Sequence, residues 1–270
     1  MSERDFLHFS RYIHEKVGIK LPPSKKTMVE ARLQKRLRLL GIATHKEYLE
    51  YLFSRDGLQN EMTSLINVVT TNTTDFFREP QHFKLLTDSI LPRWFDRNGR
   101  SRTLRVWSAG CSIGMEPYTL AMVLSEFSES TGLLFSITGT DISTQALEKA
   151  ARAIYEEERV EPVPMYLRRK YMLRSKDKRK GLVRMAPEIR RLIDFRHLNF
   201  MEDFHFDQPM DIIFCRNVVI YFDRPTQEIL FSKFCRSMRP GSHLFVGHSE
   251  SLSGMELPLE SIAPTVYRRS

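Results

Sequence analysis

Apolar positions recur at helical spacing through the first quarter of the chain. Phe6, Phe9, Ile13 and Val17 form one stripe, and Gly18 stops it. Ser24 is placed to cap a second helix, in which Met28, Val29, Leu33, Leu37 and Leu40 face inward and Gly41 ends the run. Two more short amphipathic helices follow, around Tyr48–Phe53 and Glu61–Val69. Residues 1–72 therefore read as a small all-α domain. Residues 70–79, TTNTTDFFRE, break the pattern with polar side chains that bond their own backbone, which favours a loop. Pro80 suits the first turn of a linking helix to about Phe95, and Asn98-Gly99 is a turn, so residues 73–102 read as a linker loop and helix.

From Thr103 the periodicity changes to short β-rich runs alternating with helices. Strands are expected at Leu104–Ser108, Leu134–Thr140, Ile193–Leu198, Asp211–Cys215, His243–Gly247 and Val266–Arg268. Helices are expected at Pro117–Phe127, from a Ser143 cap to Ala153, and at Pro225–Met238. Alternation of this kind predicts a largely parallel sheet covered on both faces, with a final antiparallel pair at its edge. Residues 170–192 do not fit it. A basic run followed by Leu-Val-Arg-Met suggests a small antiparallel β insertion within a 103–270 domain.

Composition adds little until charge is located. The chain has 270 residues, 41% of them hydrophobic and 27% charged, which is ordinary for a globular protein. Cys111, Cys215 and Cys235 have neither disulfide nor zinc spacing, and they read as reduced buried thiols with no metal expected. No apolar signal core and no membrane-length run is present, so a cytoplasmic protein without membrane insertion is expected. Between Arg11 and Lys46 ten basic residues stand against two acidic ones, a difference equal to the whole net charge of +8. Lys25, Arg32, Lys35 and Arg36 cluster on the outward side of the second helix. Such a patch implies an acidic partner, whether nucleic acid, anionic lipid or acidic protein, unless it is merely a solvated face.

The candidate chemistry gathers at strand ends. TLRVWSAGCSIGMEPYTLA, Thr103–Ala121, reads as strand, Gly-bearing loop and helix start, the junction where an α/β fold brings a nucleotide-like ligand to its backbone. Gly110 and Gly114 remove Cβ atoms there, and Glu116 opens the helix. Asp141, some thirty residues on, ends the second strand, where a carboxylate can accept from both hydroxyls of a ribose. Asn199 and Asn217 end later strands. The absence of GxGxxG and of a phosphate-binding lysine favours S-adenosylmethionine, which has no phosphates, over a dinucleotide.

Six stretches in register, VWSAGCSIGMEPYTLAM, TTNTTDFFRE, GTDIS, FRHLNF, IIFCRNVVIYFD and LFVGHSESL, resemble the motifs of the CheR-type chemotaxis receptor methyltransferases across nearly the whole chain. The resemblance implies a Rossmann-like S-adenosylmethionine-dependent methyltransferase sheet with an all-α N-terminal receptor-recognition domain and a β insertion. It implies methylation of glutamate side chains on cytoplasmic chemoreceptor helices, with S-adenosylhomocysteine as the second product. Carried over by position, Asn72, Thr74 and Arg78 belong to the cofactor and catalytic loop. Glu116 would hold the methionyl ammonium and Asp141 the ribose. Asn199 and Phe200 would flank the adenine, Asn217 and Val218 would lie near the methionyl end, and Tyr221 would stand beside the transferring methyl. Lys25, Arg32, Lys35 and Arg36 would meet receptor carboxylates, with no nucleic acid expected and a monomer favoured.

Two departures accompany the likeness. Ile113-Gly114-Met115-Glu116-Pro117 stands where the family usually shows Thr-Gly-Glu-Glu-Pro. In the insertion, Ser175–Lys180 replaces glycines that some members use to bind a receptor's C-terminal pentapeptide, leaving Gly181, so tethering stays open. A non-catalytic cofactor-binding module and an RNA methyltransferase are the alternative readings.

Overall fold

The computed structural model describes residues 1–270, the side chain of Lys178 excepted. Helix α1 (Glu3–Val17) begins with a capping box at Ser2 and ends at Gly18, which adopts φ 75°. Gly18 serves a second purpose, since a Cβ there would lie 2.8 Å from Met201 Sδ and 3.2 Å from Phe222. Before α2 (Lys26–Leu40) a short 3₁₀ turn spans Pro23–Lys25, so Ser24 lies inside a turn and does not cap the helix. The reason is the Pro22-Pro23 pair, whose fixed φ starts the turn one residue early. Helices α3 (His45–Leu52) and α4 (Arg55–Asn60) are capped by Thr44 and Ser54, and α5 (Met62–Val69) completes the domain. Phe6, Phe9, Ile13, Leu33, Tyr48 and Leu65 form its buried core.

The expected outward cluster on α2 needs correction. Arg36 is half-buried and grips Glu61 with two hydrogen bonds of 2.7 Å, while Tyr48 donates to the same carboxylate at 3.0 Å. Arg32 donates to the carbonyls of Val69 and Thr70 and to Thr71 Oγ1, closing the C-terminal end of α5. Residues 32 and 36 are one helical turn apart, and that flank faces α5 and not solvent. Only Lys25 and Lys35 of the four are exposed.

One helical rod carries the chain to the sheet: α6 (Pro80–Leu85), a wide π turn over Leu86–Ile90, and α7 (Leu91–Asn98). The remaining elements are β1 (Leu104–Ala109), α8 (Met115–Thr131), β2 (Phe135–Asp141), α9 (Thr144–Arg152), β3 (Ile154–Glu156), α10 (Met165–Tyr171), β4 (Met172–Arg174), β5 (Leu182–Met185), α11 (Pro187–Arg190), β6 (Ile193–His197), β7 (Met210–Cys215), α12 (Arg224–Arg236), β8 (Met238–Val246), β9 (Leu259–Ala263) and β10 (Val266–Arg269). Seven strands make one sheet in the order β6-β2-β1-β7-β8-β10-β9, parallel as far as β8, with β10 antiparallel to both neighbours. Strand β9 was not expected; its Leu-Glu-Ser-Ile-Ala sequence lies at an exposed edge and buries no face. The insertion is a separate antiparallel sheet, β3-β5-β4, and it starts at Ile154 and not near 170.

Alternation along the central strands divides the core. Val106 and Ile212 face a layer containing Tyr118 and Leu120, whereas Trp107 and Ile213 face Phe231 and Phe234. Each fully buried side chain of this size contributes roughly 1.5–3 kcal/mol. Strand β1 pairs with β2 on one side and β7 on the other, and the connections leave its neighbours in opposite directions. A crevice therefore opens between the carboxyl ends of β1 and β7, the switch point of an open α/β sheet.

Candidate functional site

That crevice is a cavity with about 970 Å³ of empty space, part of it open to solvent. Every expected cofactor or catalytic residue lines it: Asn72, Thr74, Arg78, Gly110, Glu116, Asp141, Asn199, Phe200, Asn217, Val218 and Tyr221. The cavity's other wall belongs to the helical domain, through Val17, Ile19 and Val69. Lys25, Arg32, Lys35 and Arg36 do not reach the cavity.

The threonine loop between the domains is held from several directions. Arg32 fixes its start, Ser112 Oγ donates to the Asn72 carbonyl at 2.9 Å, and Arg159 donates to the Thr74 carbonyl. Beyond it the backbone is strained, with Phe77 at φ 52° and Glu79 at φ 55°. The Arg78 guanidinium, half-buried at the cavity wall, has one long hydrogen bond to the Thr73 carbonyl, 3.4 Å, and no carboxylate partner among the described residues.

Gly110 ends β1 at φ 80°, and a Cβ on it would collide with Val218. Its small size thus lets the β1 and β7 ends close on each other. Gly114 has φ 89° at the start of α8, and a Cβ there would sit 2.9 Å from that of Ala150. Met115, fully buried, begins the helix in the sheet-facing core.

Two carboxylates are sunk in the cavity. Asp141 Oδ2 accepts from the Ser112 N–H and Oδ1 from the Ser143 N–H, both at 2.8 Å, while Ser143 also caps α9 as expected. Burial pushes the Asp141 carboxyl above its ordinary value, against the pull of these N–H donors. Glu116 accepts from Ser108 Oγ at 2.6 Å and from Arg216 Nε at 2.7 Å. Arg216 also donates to the Arg78 carbonyl at 2.6 Å and lies 3.5 Å from Glu79 Oε2. Beside it His82 is held neutral, its pKa pushed down to about 4 first by burial and then by the Arg216 charge.

Arg216 is the main residue that reading the chain alone did not single out, although it stands directly between strand β7 and Asn217. Glu250 is another. Its carboxylate accepts from the N–H groups of Gly247 (2.6 Å), Asn217 (2.9 Å) and Val219 (2.9 Å), and holds Asn217 at φ 59°. Its signal was the LFVGHSESL stretch, which gave no hint of the target. Asn199 has its amide engaged by the protein: Nδ2 donates to the Lys16 carbonyl at the end of α1, and Oδ1 accepts from the Met201 N–H. Phe200 packs edge-on to Trp107, and the Tyr221 carbonyl accepts from the Lys20 N–H at 2.8 Å. The domain junction and the cavity floor are therefore one structure.

Comparison with known proteins agrees with this layout. Residues 4–70 match the family described as CheR methyltransferase, all-alpha domain, and residues 72–268 match CheR methyltransferase, SAM binding domain. The chain is 37% identical to a chemotaxis protein methyltransferase of Borreliella burgdorferi, over 96% of this chain and 92% of that one. It is 38% identical to chemotaxis protein methyltransferase 2 of Pseudomonas aeruginosa, covering 98% and 93%, and 37% identical to the chemotaxis protein methyltransferase of Escherichia coli, covering 100% and 92%.

Proposed function

This chain belongs to the CheR methyltransferase family, and from that premise we propose that it esterifies glutamate side chains on cytoplasmic chemoreceptor helices. It is an S-adenosylmethionine-dependent methyltransferase of chemotaxis. The observation that carries the finer reading is the Arg78 guanidinium, charged, half-buried and without a carboxylate, on the wall of the cavity that holds all the expected cofactor residues.

The residues present fit S-adenosylmethionine. Asp141 keeps lone pairs for a ribose after accepting two N–H bonds, and Glu116 keeps them for an ammonium after accepting from Ser108 and Arg216. The apolar faces of Phe200 and Val218 suit the uncharged parts of the ligand. When bound, the cofactor supplies a methyl group made electrophilic by an adjacent sulfonium.

A glutamate with a pKa near the usual value of about 4.3 is ionised at neutral pH, so its oxygen attacks without a general base. The protein's work is alignment and exclusion of water. Arg78 orients the incoming carboxylate, and its single weak internal bond leaves its donors free to do so. Tyr221, at the cavity wall on the strained turn held by Glu250, flanks the reacting centre. Exposed Lys25 and Lys35 meet the acidic receptor helix, while Arg32 acts indirectly by fixing the loop that carries Asn72 and Thr74. This reading places the enzyme in the cytoplasm.

The test is transfer of a labelled methyl group to cytoplasmic receptor fragments, followed by alkali to release volatile methanol from esters. Volatile label is expected. Label stable to alkali would exclude glutamate esterification. Arg78→Ala is expected to lower turnover at least about 100-fold, the scale of a lost alignment. Full turnover in that variant would remove Arg78 from the mechanism.

A further inference from the structure

At the opposite, amino-terminal end of the sheet lies a second basin, with about 1200 Å³ of empty space open to solvent. Its charge is almost all of one sign. Arg93 and Arg97 come from α7, Arg102 from the turn before β1, Arg239 from β8 and Arg268 from β10, against the single lining carboxylate of Asp211. Asp211 is taken by Arg102 and by the Arg105 N–H, and Arg268 is paired with Glu260 at 2.6 Å. Arg93, Arg97 and Arg239 have no carboxylate partner among the described residues, and Arg239 bonds only to the neutral Gln208 side chain through Nη2.

Two further observations point to a ligand. Arg239 Nε and Trp94 Nε1 are buried donors with no partner, in side chains that line the basin. Buried donors are normally satisfied, and one left unpaired is destabilising. Arg93 and Arg97, four residues apart on one helix face, also repel each other.

We propose that this basin binds a small molecule carrying two or more phosphoryl groups. Arginine forks match phosphoryl oxygens two at a time, and three unmatched guanidinium groups exceed what one phosphate can engage. The basin is also much larger than a single phosphate, and Leu85, Ile90 and the Trp94 ring give an apolar floor for the rest of the molecule. His243, inside the same basin, registers the field. Its pKa is pushed down to about 4 by burial and then by Arg268, Arg97 and Arg93. Neither the site nor its ligand depends on the methyl-transfer reading.

Calorimetric titration of the full chain with pyrophosphate, beside sulfate and inorganic phosphate at 0.15 M salt, tests the assignment. Pyrophosphate is expected to bind one to one and at least about tenfold more tightly than either single anion, a difference of about 1.4 kcal/mol. Arg93→Glu with Arg97→Glu should weaken it at least tenfold, as should the neutral pair Arg93→Gln with Arg97→Gln, which guards against a folding defect. Arg4→Glu with Arg11→Glu, an equal change of charge on exposed α1 positions, should leave it unchanged. The His243 imidazole, followed by NMR, should titrate at higher pH once pyrophosphate is bound. Equal weakening by both charge-reversed pairs, equal affinity for all three anions, or an unmoved His243 would each overturn the proposal.

Discussion

The protein holds two arginine–glutamate pairs whose carboxylates are buried, and the pairs have different surroundings. In the helical domain Arg36 and Glu61 close on each other through two bonds, and Tyr48 donates to the same carboxylate. In the cavity Arg216 and Glu116 share one bond, and both spread their remaining capacity outward, Arg216 to the Arg78 carbonyl and Glu79, Glu116 to Ser108. The Glu61 carboxylate accepts three bonds and ties α2, α3 and the start of α5 together. The Glu116 carboxylate accepts only two, at the place where we propose that the cofactor's ammonium binds. The spare capacity of the carboxylate separates scaffold from site here.

Removing one partner of the closed pair should have the largest effect. Glu61→Ala is expected to lower the unfolding free energy by about 1–3 kcal/mol, because it leaves the buried Tyr48 hydroxyl and the half-buried Arg36 guanidinium without their acceptor. Denaturant titration would show it, and a loss below 1 kcal/mol would mean that the pair is not a keystone. The open pair should respond differently. Glu116→Gln keeps the shape and leaves Arg216 its other acceptors, so stability should change little while S-adenosylmethionine affinity falls about tenfold, or about 1.4 kcal/mol. A matching drop in stability would erase the contrast.

Acid should distinguish the regions as well. His82 packs beside the open pair and protonates near pH 4 in the folded chain, against 6.5 for the ordinary value. His243 behaves likewise at the other end of the sheet. The unfolded chain therefore binds protons first, and stability is lost as pH falls from about 6.5 towards 4. His82→Gln should flatten this decline, and an unaltered slope would assign it to other groups. The smallest effect belongs to the surface. Lys25→Glu with Lys35→Glu should slow receptor methylation at low salt, with the difference fading at high salt and cofactor affinity unchanged. A salt-independent defect would argue against electrostatic docking.

What could be read from the sequence follows from which interactions are local. Asp141, Asn199 and Asn217 were legible because each lies at, or within two residues of, the end of a strand, and strand ends gather at one edge of a parallel sheet. Arg36 was misread because charge on a helix was taken for exposure, and its partner Glu61 lies 25 residues away. Arg216 and Glu250 likewise act through distant contacts, across 100 residues to Glu116 and 33 to Asn217. Strand β3 escaped because three residues with a single buried side chain, Tyr155, carry too little alternation. The departure at Met115 proved compatible with the fold, as that side chain joins the core.

The bonds from Asn199 to the Lys16 carbonyl and from the Lys20 N–H to the Tyr221 carbonyl also bear on how the enzyme can be handled in the laboratory. A fragment beginning near residue 72 would retain every strand of the sheet, yet it would lay bare Leu198, Tyr221, Phe222 and the underside of the threonine loop. Such a piece should be sticky and short-lived in storage, and screening small molecules against it would sample a cleft missing one of its walls.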